Sequence, residues 1–140
     1  MSGRIRPPAK RPCGSCPYRR DVPSGVWAQE EYEKLPRFDG TTGEQMEQGG
    51  WGVFLCHQQD GRACAGWVGC HDMSQALGLR MALGQGLLAD EDVDAFLDYT
   101  TDVPLFASGT EAAEHGLAEL LTPSEKARRT VSRLERKLGT

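Results

Sequence analysis

The chain has 140 residues, 39% hydrophobic and 26% charged, which describes one ordinary domain, too short for a large enzyme architecture and too apolar to be disordered. Its 17 Gly, 8 Pro and five Cys beside only ten aromatics predict a modest, loop-rich core in which a staple such as a metal gains value. The net charge of −4 divides into +6 over residues 1–20, −14 over 21–121 and +4 over 122–140, which argues against nucleic-acid binding by the whole body but leaves two basic ends able to meet phosphate or an acidic protein.

No stretch approaches the roughly 20 apolar residues of a membrane span, so no membrane partner is expected. The opening Met-Ser-Gly-Arg-Ile-Arg-Pro-Pro has no apolar run after its basic residues and does not read as a secretory signal. A cytoplasmic location is the expectation. Closely spaced cysteines in a reducing compartment bind metal or do redox chemistry more often than they form structural disulfides.

Residues 1–12 read as a basic extended arm leading into Cys13-Gly14-Ser15-Cys16-Pro17-Tyr18-Arg19-Arg20. Asp21 to Gly25 reads as a turn, and Trp27 to Leu35 as a short helix closed by Pro36. Gly40 to Gly50 reads as a loop or one weak helical turn. The β-prone run Trp51 to Cys56 is the strand candidate, delivering Cys56 and His57 to a loop that carries Cys64, Trp67, Cys70 and His71 up to Gly69 and just beyond. Asp72 caps a helix ending near Gly84 or Gly86, Asp90 caps a short acidic helix with Val93, Phe96 and Leu97 inward, and Thr110 to Leu121 is a further helix.

Thr122-Pro123-Ser124-Glu125 combines an N-cap, a proline at the first helical position and a glutamate three residues after the cap. The helix it opens carries a narrow stripe of Ala127, Val131, Leu134 and Leu138. Its other faces are basic, and Arg128, Arg129, Arg133 and Arg136 are the candidate partner-binding residues for a protein or nucleic acid. The expected fold class is α+β, mostly α with few short strands: a small irregular metal-stabilised domain. It divides into the arm 1–12, a four-cysteine domain 13–121 and the basic helix 122–140.

The cysteines carry the chemistry. A C-x2-C pair on a tight turn, Cys13 and Cys16, can bite one tetrahedral metal, and the C-x7-C pair Cys56 and Cys64 can supply the other half. Such a centre would pin the arm to the body. Arg11, Arg19, Arg20 and Arg62 lie close enough in sequence to offset the surplus negative charge. His57, Cys70 and His71 are alternative ligands or supporting residues, since three thiolates and one imidazole also suit zinc. Zn2+ is favoured by its frequency at four-thiolate sites in small domains. A [4Fe-4S] cluster is the alternative, because Cys16-Pro17 and the irregular second spacing suit cluster ligation.

Enzyme readings fare worse. Pro12-Cys13-Gly14-Ser15-Cys16 matches half of the zinc deaminase signature, but the required H-x-E occurs nowhere. A thioredoxin-like pair needs a preceding strand to set the thiol pKa, and the arm offers none. A Cys64 nucleophile beside His57 or His71 lacks a recognisable oxyanion hole. No catalytic residue is assigned, and a non-enzymatic accessory binding or regulatory module is the expected function, with a redox-responsive iron–sulfur protein as the alternative.

Cys16-Pro17-Tyr18-Arg19 with Cys13 resembles a short motif of the WhiB-like iron–sulfur regulators. More broadly, Cys13-x2-Cys16-Pro17-Tyr18-Arg19, then Phe54-Leu55-Cys56-His57, then Cys64-Ala65-Gly66-Trp67 resemble a family of small uncharacterised actinobacterial, other bacterial and phage proteins, over about residues 11 to 82. That resemblance implies Cys13, Cys16, Cys56 and Cys64 as the set, with Cys70 and His71 outside it, and implies no activity.

Overall fold

A computed structural model describes residues 5–56, 61–118 and 125–138, with the side chains of the last segment described from Arg129 to Arg136. The described chain is mostly helical, and its β structure is confined to three isolated bridges. None of its helices is long and apolar enough to cross a membrane.

Proline and glycine keep the helices short. α1 (Gln29–Glu33) stops before Pro36, whose missing N–H and bulky ring oppose continuation. The chain turns instead into a 3-10 helix, Leu35–Phe38, where Pro36 sits in the first turn. Pro36 therefore opens a second helical element besides ending the first, and Trp27 stands outside the helix expected to contain it. α2 (Thr42–Gln48) occupies the segment expected to be a loop. Its cause is a capping box: Glu44 N–H donates to Thr41 Oγ1 (3.2 Å) and Thr41 N–H to Glu44 Oε1 (2.9 Å), and Gly49 at φ 84° ends it.

α3 (Ala65–Cys70) lies inside the stretch expected to be irregular. Asp72 does act as a cap, accepting from Ser74 N–H (3.0 Å), but it starts a 3-10 turn, Met73–Gln75, ahead of α4 (Leu77–Gly84). α5 (Val93–Leu97) follows a 3-10 turn, Asp90–Asp92, that includes Asp90 itself. Phe96 points inward as expected, whereas Leu97 is exposed. α6 (Gly109–Leu117) is capped by Ser108, one turn position earlier than anticipated. α7 (Glu125–Leu138) is the basic helix, and the expected cap over Thr122 to Ser124 lies outside the described residues.

The main core gathers Tyr18, Tyr32, Leu35, Phe54, Trp67, Phe96 and Phe106 with Cys16 and Cys64. Burying an aromatic of this size is worth on the order of 4–6 kcal/mol as an upper bound. α6 packs against α1 and the Leu35–Phe38 turn through small residues, since a Cβ on Gly109 would strike the Leu35 carbonyl and one on Gly116 the Tyr32 ring. Gln45 is buried but satisfied: its Nε2 donates to Gly40 O (3.0 Å) and Gln75 O (2.9 Å), and its Oε1 accepts from Leu77 N–H (3.0 Å). A second, smaller core seats Leu134 and Val131 of α7 on Val22, Val26 and Trp27.

Candidate metal centre

The Cys13–Cys16 turn closes on itself, with Cys16 N–H donating to Cys13 O (3.0 Å) and Arg19 N–H to Cys16 O (3.0 Å). Arg19 then clasps it. Its Nη1 donates to the carbonyls of Pro12 (3.1 Å) and Cys13 (3.4 Å), while Nε and Nη2 hold both oxygens of Asp21 (2.8 and 2.7 Å). Trp27 Nε1 donates to Ser15 O (2.7 Å), joining the turn to the small core under α7. Of the other nearby arginines, Arg62 Nη1 donates to Pro7 O (2.9 Å), Arg20 pairs with Glu111 (3.3 Å), and Arg11 approaches Asp102 (3.8 Å).

Cys56 and Cys64 arrive on a minimal hairpin in place of the expected strand over Trp51 to Cys56. Leu55 bridges Ala63 in antiparallel sense, with Cys56 N–H donating to Arg62 O (2.8 Å) and Cys64 N–H to Phe54 O (2.7 Å). Too few pairs form for a regular strand, because Gly50 and Gly52 precede it and α3 begins directly after Cys64. One step past the bridge on either side, Cys56 and Cys64 share the face opposite Leu55 and Ala63. The arm adds the third line: Arg6 bridges Arg62 in parallel, and Ala63 N–H donates to Arg6 O (3.0 Å).

The two pairs meet. Cys16 Sγ lies 3.7 Å from Cys64 Sγ, and the Cys13 thiol interacts with those of Cys16 and Cys56, so the cysteines neighbour one another in the order Cys56, Cys13, Cys16, Cys64. Cys16 and Cys64 are buried, and Cys13 and Cys56 half-buried. None of the five cysteines takes part in a disulfide. Among the described residues no three ligand-type side chains already converge on one point.

Protons are held on Cys13 and Cys16. The hydrogen bond to Cys16 raises the Cys13 thiol above its ordinary range, opposed by the bond with Cys56 and reinforced by burial. At Cys16 the bond with Cys13 lowers the pKa, but the bond with Cys64, burial and the Cys64 charge outweigh it and push the thiol well up. Crowded buried thiols of this kind are costly to ionise unless a cation replaces their protons. Gly66 makes the crowding possible: a Cβ there would collide with Cys16 Sγ and Tyr18 Cβ.

The remaining candidates fall elsewhere. His71 Nδ1 faces Trp67 O (2.9 Å) and Nε2 faces Asp39 Oδ1 (2.8 Å), so both nitrogens are engaged and the ring ties α3 to the Leu35–Phe38 turn. Asp39 also accepts from Gly109 N–H (2.7 Å), Thr110 N–H (2.8 Å) and Thr110 Oγ1 (2.8 Å). Burial pushes its carboxyl up, but these donors, His71 foremost, bring it down to about 2. Burial and the charges of Asp39 and Glu111 push the Cys70 thiol to about 12, leaving it a poor nucleophile. His57 lies outside the described residues, as does the Arg128 side chain. Arg129, Arg133 and Arg136 are exposed on α7.

Arg19, Trp27 and Gly66 support the cysteine turn, and Asp39 organises the separate His71 network. Only Arg19 has a sequence signal, its closeness to Cys16; the others act through contacts across the fold.

The architecture defines a class: a small, mostly helical domain in which the Cys13–Cys16 turn meets Cys64 within the core. The chain belongs to a family of unknown function, DUF6283, whose model matches residues 8–132. The match runs past the 11–82 stretch at both ends and takes in the first half of α7. No curated protein and no solved structure matches the chain.

Proposed function

We propose that this chain is a non-enzymatic binding or regulatory module built on one four-thiolate metal centre, with Cys13, Cys16, Cys56 and Cys64 as ligands. The contiguous run of four sulfurs, drawn from segments 40 residues apart in sequence, carries this reading. Zinc is the metal. Four sulfurs 2.3 Å from a central ion form a tetrahedron with edges of about 3.8 Å, and the Cys16–Cys64 separation is 3.7 Å. In a [4Fe-4S] cluster each thiolate caps a different iron, and the sulfurs stand farther apart than around a single ion.

Four thiolates and one Zn2+ leave two negative charges; Arg19, itself paired with Asp21, contributes by holding the carbonyls of the Cys13 turn rather than by balancing that charge. The module is cytoplasmic in this reading, and a protein or nucleic acid partner meets the basic ends, chiefly Arg129, Arg133 and Arg136. Elemental analysis of the full-length protein tests the centre: about one zinc in colourless protein, lost with the fold in a Cys16→Ser variant. Brown protein with stoichiometric iron and sulfide overturns zinc in favour of the cluster. Salt-dependent binding to DNA or RNA, lost when Arg129, Arg133 and Arg136 are changed to Gln, distinguishes a nucleic-acid partner from a protein one.

A further inference from the structure

The four sulfurs are not equivalent. Cys16 is 0% exposed and Cys64 2% exposed, whereas Cys13 and Cys56 sit at the outer end of the chain, half-buried and in contact with each other. Cys56 also lines a cleft of about 410 Å³ whose walls include Lys34, Phe38, Phe54 and Leu55. A small polar oxidant reaches this end first, because the inner pair lies beneath Tyr18 and the Gly66 turn of α3.

We infer that Cys13 and Cys56 form an oxidative modification site, which a peroxide-class oxidant converts to a disulfide while Cys16 and Cys64 stay reduced. The consequence for metal rests on the four-thiolate reading above. In the first step the Cys56 thiolate attacks one peroxide oxygen, the O–O bond breaks, and a sulfenic acid and hydroxide form. The Cys13 thiol then attacks that sulfur, the S–S bond forms, and the displaced hydroxyl leaves as water with the thiol's proton. Two electrons pass from the two sulfurs to one peroxide. The metal keeps two protein ligands instead of four and is released.

The bridge has a structural effect of its own. The arm is held to the body by the Arg6–Arg62 bridge, the Arg62–Pro7 bond and the Tyr99 Oη bond to Lys10 O (3.0 Å). A covalent link from residue 13 to residue 56 keeps the ligand turn attached after metal loss, so reduction and zinc restore the centre without a search for register.

The test uses the full-length protein as purified, titrated with hydrogen peroxide. Zinc release is followed with a chromogenic chelator, and cysteines are mapped by alkylation and peptide analysis. The expected result is loss of two thiols per zinc released, a Cys13–Cys56 bridge, continued alkylation of Cys16, Cys64 and Cys70, and recovery of zinc binding after dithiothreitol. A Cys13–Cys16 or Cys16–Cys64 bridge, a bridge to Cys70, or sulfinic acid as the first product overturns the inference. Protein purified without metal overturns the four-thiolate reading instead, and the same mapping then still decides whether Cys13 and Cys56 couple first.

Discussion

Replacing Gly66 by alanine tests the link between core packing and the thiol cluster. Within a helix, alanine is favoured over glycine by up to about 1 kcal/mol, so Gly66→Ala in an open site would stabilise the protein. Here the new methyl meets Cys16 Sγ and Tyr18 Cβ, both fully buried, and overpacking of a tight core costs about 1–3 kcal/mol. The balance is a loss of about 1–2 kcal/mol, or a fall of roughly 3–8 °C in Tm for a domain of this size. Under the proposed four-thiolate centre, displacing Cys16 Sγ should also lower zinc content. Gly43→Ala in α2 is the control, because a Cβ there meets nothing within 4 Å, and its Tm should rise. Thermal unfolding by circular dichroism with a parallel zinc assay reads both. An unchanged or higher Tm for Gly66→Ala, with full zinc content, refutes the reasoning.

Arg19→Leu removes two bonds to the Cys13 turn and the clasp on Asp21. Zinc affinity in chelator competition should drop about tenfold or more, and unchanged affinity would show that the turn holds itself. The Asp39 carboxyl falls from its ordinary 3.8 to about 2 on folding, so its contribution is complete above about pH 4 and is lost as pH falls through 2. Asp39→Asn should therefore cost about 1–2 kcal/mol in urea unfolding at pH 7, and the gap from wild type should close towards pH 2. A pH-independent gap contradicts this. Leu134→Ala should undock α7 from Val22 and Val26 at a cost of about 2 kcal/mol. Isolated helices of this length are marginal in water, so limited proteolysis should cut within residues 125–138 of the variant. Equal resistance in both proteins would mean that α7 is held by other contacts.

Much of the helix content is legible in the sequence because it rests on local signals. Asp72 caps where a cap is expected, α4 ends at Gly84, and the arm is extended and tied to the body. α2 is also local, since Thr41-x-x-Glu44 is a capping box, but its weakly apolar interior hides it. The run Trp51 to Cys56 has strand propensity without a partner long enough to realise it, so pairing stops at one bridge. α3 was obscured by two internal glycines, and these are what allow its close approach: Gly66 to Cys16 and Tyr18, Gly69 to the Leu105 and Tyr99 side chains.

Spacing and resemblance point to Cys13, Cys16, Cys56 and Cys64; the fold brings Cys16 to Cys64 and ties His71 to Asp39. The Asp39 network itself has no local signature. It joins residues 32 and 70 positions apart in sequence, and such pairings come only from the tertiary fold.

Zinc-edge X-ray absorption on the full-length protein addresses the proposed metal centre most directly, because it reads ligand type, number and distance around an ion. Four sulfurs at about 2.3 Å are predicted. A shell containing nitrogen or oxygen, or protein that holds no zinc at all, would contradict a centre made by Cys13, Cys16, Cys56 and Cys64.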